Sequence, residues 1–355
     1  MRRILSIDGG GIKGAFPASF LATIEEQIGD HVANYFDLIV GTSTGGIIAL
    51  GLGLGFTARE IEKFYTDLGS KIFNKNQKPV AVSWKMKCAI KYFHRKISNI
   101  VSKEQLYELA ASLSETKYDL SPLEEELKML FRDRTIGDSK VRLVIPSFNL
   151  ITGQVHVYKT RHHERFERDY NVPAFEAAIA TAAAPIFFPI YRGTTGIPLI
   201  DGGIYANNPM GMAVVEAVSV LGWKPEELKV LSLGCTESPL DVNLDKKNLG
   251  LLDWNINLLH VFMRAQDSIS NGIASLLANE HQNKNIVRIN PSVPAGKYAL
   301  DSIDRVNELI AMGESVARVQ LPHLRELGFF DKQAEVFVPI PLKNKVNYGD
   351  HSSIE

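Results

Sequence analysis

Short apolar runs of β type alternate with helical runs along this chain. Ile4–Ile7 and Phe36–Val40 are typical of buried strands, and the segment 16–28 between them places its large apolar residues at helical spacing. Such an alternation is typical of a sheet covered by helices on both faces. The sequence therefore predicts an α/β fold.

The same alternation continues towards the C-terminus. Further strands are predicted at 141–150, 154–159, 197–200, 228–233 and 286–289, and further helices from about 46, at 58–68, 103–114, 174–184, 208–221, 254–281 and 301–327. No internal repeat or low-complexity linker divides the chain. We therefore expect one domain over 1–355, with a motif-bearing core at about 1–235, a basic helical cap at about 71–130 and a C-terminal helical part at about 236–355.

Charge, cysteine content and the N-terminal sequence exclude several classes of protein. The 39 Lys and Arg residues balance 40 Asp and Glu residues, so no whole-molecule field attracts DNA or RNA. Two cysteines, Cys88 and Cys235, are too few for a disulfide scaffold and fit a reducing cytosol. The chain reaches Asp8 too soon for a signal peptide, and the uncharged stretch Leu38–Ala58 holds six glycines, which favours a strand, turn and helix over a membrane span. We expect a cytoplasmic protein without a transmembrane helix.

The first motif that carries chemistry joins the first strand to the first helix. It has the sequence Asp8-Gly9-Gly10-Gly11-Ile12-Lys13-Gly14. Consecutive glycines let backbone N–H groups approach a ligand anion at a helix N-terminus. Gly9, Gly11 and Gly14 also match a dinucleotide-binding pattern, but the acidic residue that this pattern needs after the second strand is absent, because that strand ends in Gly41-Thr42-Ser43.

The second motif follows the second strand. Its sequence is Gly41-Thr42-Ser43-Thr44-Gly45, a Gly-x-Ser-x-Gly match between a predicted strand and a predicted helix. In this setting the glycines allow a sharp turn that exposes the serine hydroxyl, and the next N–H points at the oxyanion. Ser43 is therefore a candidate nucleophile, with Thr44 as a candidate oxyanion donor.

A serine nucleophile needs a base, and none of the nine histidines lies in a convincing context. The cluster His162-His163-Glu164 with Glu167 lies in a charged stretch, and we interpret it as a solvated face rather than a metal site. Asp201 is the stronger candidate, because it ends an apolar strand and precedes Gly202 and Gly203. Its spacing alone fits a turn aspartate equally well.

Together, the three motifs resemble those of the patatin-like phospholipases, whose hallmarks are Asp-Gly-Gly-Gly-x-Arg/Lys-Gly, Gly-x-Ser-x-Gly and Asp-Gly-Gly/Ala in that order. The resemblance covers about residues 1–235 and includes the small-residue run Ala180–Pro185. It implies a three-layer α/β/α sandwich with a mostly parallel sheet and a helical cap. It also implies a serine lipid acyl hydrolase in which Ser43 is the nucleophile and Asp201 the base, with no metal or other cofactor.

The same resemblance assigns supporting roles around the dyad. It implies that the amides of Gly9, Gly10 and Gly11 form the oxyanion hole, next to that of Thr44. Lys13 falls where the family has Arg or Lys, and either supports this hole or is a surface cation. The remaining motif positions are Gly14, Gly41, Gly45, Gly202 and Gly203.

A narrower resemblance concerns the stretch Ile12–Leu21. It is similar to bacterial patatin-like phospholipases that act as effectors in cyclic-oligonucleotide antiphage signalling. That resemblance implies degradation of membrane phospholipids after activation by a cyclic dinucleotide such as 3′,3′-cyclic GMP–AMP. The sequence does not locate the nucleotide site; the basic segment and the last third of the chain are both candidates.

The basic segment 71–103 contains nine Lys and Arg residues and no acidic residue, interleaved with Trp84, Tyr92 and Phe93. Such a composition suits contact with an anionic membrane surface, and it equally suits a solvated cap with one apolar stripe. We expect the protein to act peripherally at the inner membrane. The sequence is also compatible with an oligomer.

Three other functions fit the motifs. A constitutive lipid acyl hydrolase and an acyltransferase use the same chemistry. A non-catalytic nucleotide- or phosphate-binding module would use only the glycine loop, and the intact serine and aspartate motifs argue against it. Head group, acyl position and oligomeric state stay open.

Overall fold

The computed structural model describes residues 1–72, 116–240, 254 and 257–342. Its strands are β1 (Arg2–Ile7), β2 (Leu38–Gly41), β3 (Arg142–Asn149), β4 (Gln154–Lys159), β5 (Tyr191–Arg192), β6 (Pro198–Asp201), β7 (Leu228–Leu233) and β8 (Ile286–Ile289). Its helices are α1 (Ala15–Ile28), α2 (Thr44–Gly53), α3 (Ala58–Ile72), α4 (Ser121–Phe131), α5 (Ala174–Ala182), α6 (Gly203–Ala206), α7 (Met210–Val215), α8 (Asn257–Leu277), α9 (Glu280–Asn283) and α10 (Val306–Glu326).

The strands form one sheet in the order β5-β6-β3-β2-β1-β7-β8, and β4 also pairs with β3. The strands β8, β7, β1, β2 and β3 are parallel, whereas β4 and β6 run antiparallel to β3. Because successive strand residues point to opposite faces, Leu5 and Ile39 join a core with α1 and α2, while Ile4 and Val40 join a core with α7 and α8. The predicted α/β/α sandwich with a mostly parallel sheet is confirmed.

The neighbours of β3 bring two distant segments together. β2 pairs with the first half of β3, where Val40 is opposite Val144. β6 pairs with the second half in the opposite direction, where Asp201 is opposite Ser147. β4 pairs with the other edge of β3 from Val144 to Asn149, so β2 and β6 share one edge of β3 and their C-terminal ends face each other. This register places the residues after β2 next to the end of β6.

The last third of the chain packs against the same sheet. β8 pairs with β7 at the sheet edge. Helix α10 lies closely against α1, where Ser19 Oγ donates a hydrogen bond to Ile310 O at 3.0 Å. A Cβ at Gly313 would lie 2.6 Å from Phe16 O, so the contact requires a glycine. The C-terminal part therefore contributes a strand to the sheet and one long helix to each of its two cores, α10 to one and α8 to the other.

Most of the predicted cap cannot be compared with the structure. Residues 73–115, which include most of the basic segment and the predicted helix 103–114, lie outside the described residues. Helix α4, at the end of the predicted cap, buries Leu123, Leu127 and Phe131. Among the described helices, none combines the length and the apolar character needed to cross a membrane.

Candidate active site

Ser43 lies in the sharp turn between β2 and α2. Its φ of +55° is in the left-handed region, which a residue with a side chain rarely adopts. The flanking glycines make this turn possible: a Cβ at Gly41 would lie 2.0 Å from Gly45 O, and a Cβ at Gly45 would lie 2.2 Å from Ile7 O. The sequence thus folds into the strand, tight turn and helix that a nucleophile elbow needs.

The Ser43 hydroxyl donates a hydrogen bond to Asp201. Ser43 Oγ lies 2.7 Å from Asp201 Oδ2, and the N–H of Gly203 donates to Asp201 Oδ1 at 2.6 Å. Burial raises the pKa of Asp201 to about 6, although the hydrogen bonds from Ser43 and Gly203 act in the opposite direction. At neutral pH Asp201 is therefore ionised, and it is a stronger base than an aspartate in water.

Thr181 fixes the relative position of the two partners. Its hydroxyl accepts the Ser43 N–H at 3.0 Å and donates to Pro146 O at 2.5 Å. Its carbonyl accepts the Gly202 N–H at 3.1 Å. A Cβ at Gly202 would lie 2.2 Å from Pro146 O, so the chain after Asp201 needs a glycine to pass β3. The small-residue run that contains Thr181 is visible in the sequence, but the role of the Thr181 hydroxyl is not, because nothing in the run distinguishes this residue from a packing residue.

The glycine loop lies beside Ser43. A Cβ at Gly9 would lie 3.2 Å from Ser43 Cβ, and Gly11 has a φ of +57°. Gly9 N–H donates to Asn207 O at 2.9 Å, so this amide is already occupied. With respect to the part of the chain that the structure describes, the N–H groups of Gly10, Gly11 and Thr44 form no hydrogen bond. These three N–H groups can donate hydrogen bonds to a developing oxyanion.

An apolar cavity of about 170 Å³ adjoins the dyad. Gly10, Gly11, Thr44 and both dyad residues line it. Its apolar wall comes from several elements and includes Ile12, Ile47, Phe64, Leu123, Phe188 and Met263. The wall suits a hydrocarbon chain, and its position places such a chain against the Ser43 hydroxyl.

Two further residues of the first motif, Gly14 and Lys13, lie away from the dyad's hydrogen bond and have other surroundings. A Cβ at Gly14 would lie 2.1 Å from Thr44 Oγ1, so Gly14 lets the glycine loop approach the start of α2. Lys13 is half-buried rather than a surface cation, and its side chain lines a second, polar cavity together with Asp8, Cys235 and Arg264. Burial lowers the pKa of Lys13.

The interpretation of the histidine cluster was wrong for His162. This side chain is buried instead of solvated, with Nε2 2.9 Å from Glu216 Oε1 and Nδ1 2.9 Å from Thr160 Oγ1. The chain after β4 places it against Glu216, the first residue of the π-helical segment Glu216–Val220 that continues α7, which a charged sequence stretch does not indicate. Across the described ranges, no group of three or more histidine, cysteine and acidic side chains is placed to hold a metal ion.

Comparisons with known proteins agree with this architecture. A family model described as "Patatin-like phospholipase" matches residues 5–214. A "cGAMP-activated phospholipase" of Pseudomonas aeruginosa is 30% identical over 351 residues, which cover 96% of each chain. A protein of the same name from Vibrio cholerae is 31% identical, covering 93% of this chain and 94% of its own. "Patatin-like protein 2" of Arabidopsis thaliana is 27% identical, covering 90% of this chain and 84% of its own. The chain therefore belongs to the patatin-like phospholipase family.

Proposed function

We propose that this protein is a serine phospholipase that hydrolyses the carboxylic ester bonds of membrane phospholipids, with Ser43 as nucleophile and Asp201 as base. The observation that carries the proposal is the 2.7 Å hydrogen bond from Ser43 Oγ to Asp201 Oδ2 at the edge of an apolar cavity. A nucleophile, a base within hydrogen-bond reach and free amides beside them are the parts that acyl transfer requires.

The geometry supports a two-step reaction. Ser43 Oγ attacks the ester carbonyl while its proton passes to Asp201, and the N–H groups of Gly10, Gly11 and Thr44 stabilise the oxyanion. The C–O bond to the leaving alcohol then breaks, and the alcohol takes the proton from Asp201. In the second step Asp201 takes a proton from water, which attacks the acyl-enzyme carbonyl. The bond between the acyl carbon and Ser43 Oγ then breaks, Ser43 Oγ takes the proton from Asp201, and the fatty acid leaves. The reaction as proposed uses no metal or other cofactor.

The proposal includes activation by a cyclic dinucleotide, 3′,3′-cyclic GMP–AMP. Its support is the similarity over more than nine-tenths of the chain to two bacterial proteins named "cGAMP-activated phospholipase". Gating of this kind suits a lipase that degrades the membrane of its own cell, and it places the protein in bacterial antiviral defence. The protein then acts from the cytoplasm at the surface of the inner membrane.

Helix α8 offers a surface for that membrane contact. It carries an exposed apolar stripe, defined by Leu258, Phe262, Ile269, Ile273 and Leu276. The stripe lies next to Leu259 and Met263, which belong to the same helix and line the apolar cavity. A bilayer against the stripe would therefore lie beside the cavity that takes the acyl chain.

We also propose that residues 1–355 form one domain. β8 extends the sheet of the motif-bearing core, and α10 packs against α1, so the described part of the C-terminal region has no separate core.

The test is fatty-acid release from vesicles of phosphatidylethanolamine and phosphatidylglycerol, with and without a panel of cyclic dinucleotides. We expect release only with 3′,3′-cyclic GMP–AMP, and none from Ser43→Ala or Asp201→Asn, each shown to be folded by its circular dichroism. Release of fatty acid without any nucleotide would contradict the proposed gating. Release by either variant would contradict the proposed roles of Ser43 and Asp201.

A further inference from the structure

A second cavity, of about 410 Å³, adjoins the apolar one. Five residues line both: Ile186, Phe187, Asn207, Met263 and Leu300. The glycine loop separates the two, with Gly10 and Gly11 on the apolar side and Asp8, Gly9 and Lys13 on the polar side. A molecule whose ester lies at Ser43 can therefore extend in two directions, into an apolar space and into a polar one.

The charged side chains of the polar cavity are paired with one exception. Arg288 contacts Asp8 at 2.7 Å and Asp267 at 2.8 Å. Two more ion pairs are Lys117 with Asp301 and Arg264 with Glu237. Lys13 forms no ion pair with any described residue, although its surroundings desolvate it. An anion in the cavity would supply the missing partner.

Two uncharged groups of the cavity also lack partners. Thr236 Oγ1 and Asn290 Oδ1 are buried and form no hydrogen bond with any residue that the structure describes, in contrast to most buried polar atoms of folded proteins. A hydroxyl can donate to a phosphate oxygen, and an amide oxygen can accept from a ligand hydroxyl or ammonium group. The cavity thus offers a cation and a donor for a phosphate, and an acceptor for a group beyond it.

We infer that the polar cavity binds the phosphate-bearing head group of the lipid whose acyl chain occupies the apolar cavity. The inference rests on the proposed phospholipase function and adds the orientation of the substrate. The ligand is a phosphate ester that carries a hydrogen-bond donor, which describes the glycerol or ethanolamine end of a phospholipid. The ester carbonyl between the two ends then lies at Ser43, beside the free amides.

The ion pair between Arg264 and Glu237 provides a matched test. Arg264→Gln removes a cation from the cavity and leaves Glu237 to repel a phosphate, whereas Glu237→Gln removes the competing anion and leaves Arg264 without this ion-pair partner. Both variants break the same ion pair, and in Glu237→Gln the guanidinium of Arg264 keeps its hydrogen bond to Ser238 O. A purely structural role of the pair therefore predicts changes in the same direction, and head-group binding predicts changes in opposite directions.

The assay compares two soluble esters with the same acyl chain, dihexanoyl-phosphatidylglycerol and p-nitrophenyl hexanoate, at saturating 3′,3′-cyclic GMP–AMP. We expect the ratio of the two kcat/KM values, phospholipid over neutral ester, to fall about tenfold in Arg264→Gln, mainly through KM, and to rise in Glu237→Gln. Inorganic phosphate should compete with the phospholipid more strongly than with the neutral ester.

Three results would overturn the inference. One is a ratio that stays constant or moves the same way in both variants. Another is that Arg264→Gln needs a higher nucleotide concentration for half-maximal activation while the ratio of the two kcat/KM values stays constant. That result would place the activator in the cavity. The third is equal competition by phosphate against both esters. Failure of the proposed function would be distinct, because the unmodified protein would then hydrolyse neither ester.

Discussion

At the scale of single residues, Asp201 has to satisfy two opposing demands. To act as the base that we propose, it must be ionised, yet it is buried, which raises its pKa from 3.8 to about 6. Because only the carboxylate acts as a base, we expect kcat to rise with pH through about 6 and to level off above about 7. A pH profile of p-nitrophenyl ester hydrolysis measures this. A midpoint near 4 would show that the carboxyl is solvated in the working enzyme.

The same burial has a consequence for stability. A carboxyl whose pKa is raised in the folded state stabilises the fold while it is protonated, and this contribution is lost as the pH rises through the folded-state value, here between about 4 and 6. The difference of about 2 pKa units corresponds to about 3 kcal/mol. We therefore expect the free energy of unfolding of the inactive variant Asp201→Asn to exceed that of the unmodified protein by about 1–3 kcal/mol at pH 8. At pH 4 we expect a smaller excess. Urea denaturation at both pH values measures the difference, and equal differences would contradict the prediction.

At the scale of elements, Arg288 connects β8 to the glycine loop and to α8. Its guanidinium contacts Asp8, which immediately precedes the glycines, and Asp267 on α8, and it donates to Ser232 Oγ at 2.7 Å. Asp267 also accepts a hydrogen bond from Asn208 at 2.7 Å. The neighbouring Asn207 accepts the Gly9 N–H. This network holds the loop that carries the free amides, so Arg288 is a positioning residue.

Replacement of Arg288 should therefore affect the reaction more than the binding of substrate. We expect Arg288→Gln to lower kcat about 10- to 100-fold with little change in KM, because misplaced amides lose oxyanion stabilisation in the transition state. Arg288→Lys should restore part of kcat, since it retains the charge but not the forked geometry. Hydrolysis of p-nitrophenyl hexanoate below the unfolding temperature of each variant separates this effect from loss of fold. A lower Tm with unchanged kcat would assign Arg288 a structural role alone.

The sequence predicts the elements of this fold better than their contacts. Apolar spacing places β1, β2, β7 and β8 within two residues of their observed ends, because each strand is a short buried run between turn residues. The antiparallel return of β6 depends instead on its pairing with β3, as in Phe148 opposite Ile200. Ser147 Oγ also donates to Ile200 O, across 53 residues. No local pattern encodes that register, and the approach of Asp201 to Ser43 follows from it.

The candidate site likewise has features that the sequence predicts and contacts that it does not. Motif spacing identifies Ser43, and the family resemblance adds Asp201, but neither indicates that Asn207 occupies the Gly9 amide or that Arg288 lies against Asp8, 280 residues away in sequence. Lys13 is a further example, because its motif position does not reveal that it lines a polar cavity instead of the apolar one. Turns and close approaches that require glycine are local and can be recognised in the sequence. Hydrogen bonds between distant segments depend instead on the assembled fold.

At the scale of the whole molecule, the distribution of charge bears on how the protein reaches a bilayer. The net charge is −1, so no overall field favours an anionic membrane. On α8, a helix of 21 residues, the two formally charged residues are Arg264 and Asp267, and both line the polar cavity and form ion pairs there. The apolar stripe lies on another side of the helix, with residues at helical spacing over a length of about 27 Å. The membrane contact that we propose for this face would therefore be apolar.

Binding to vesicles should accordingly depend on the stripe and vary little with salt. In a Ser43→Ala background, which keeps the lipid intact, we expect Phe262→Ser with Ile269→Ser to weaken sedimentation with phosphatidylethanolamine and phosphatidylglycerol vesicles at least tenfold, since burial of each side chain contributes about 1.5–3 kcal/mol. The control is Val319→Ser on α10, whose side chain is 70% exposed and lies outside the stripe. Equal loss in the control would contradict a role for α8. Loss of binding in high salt would instead assign the contact to the basic segment 71–103, because exposed charges are screened and apolar contacts are not.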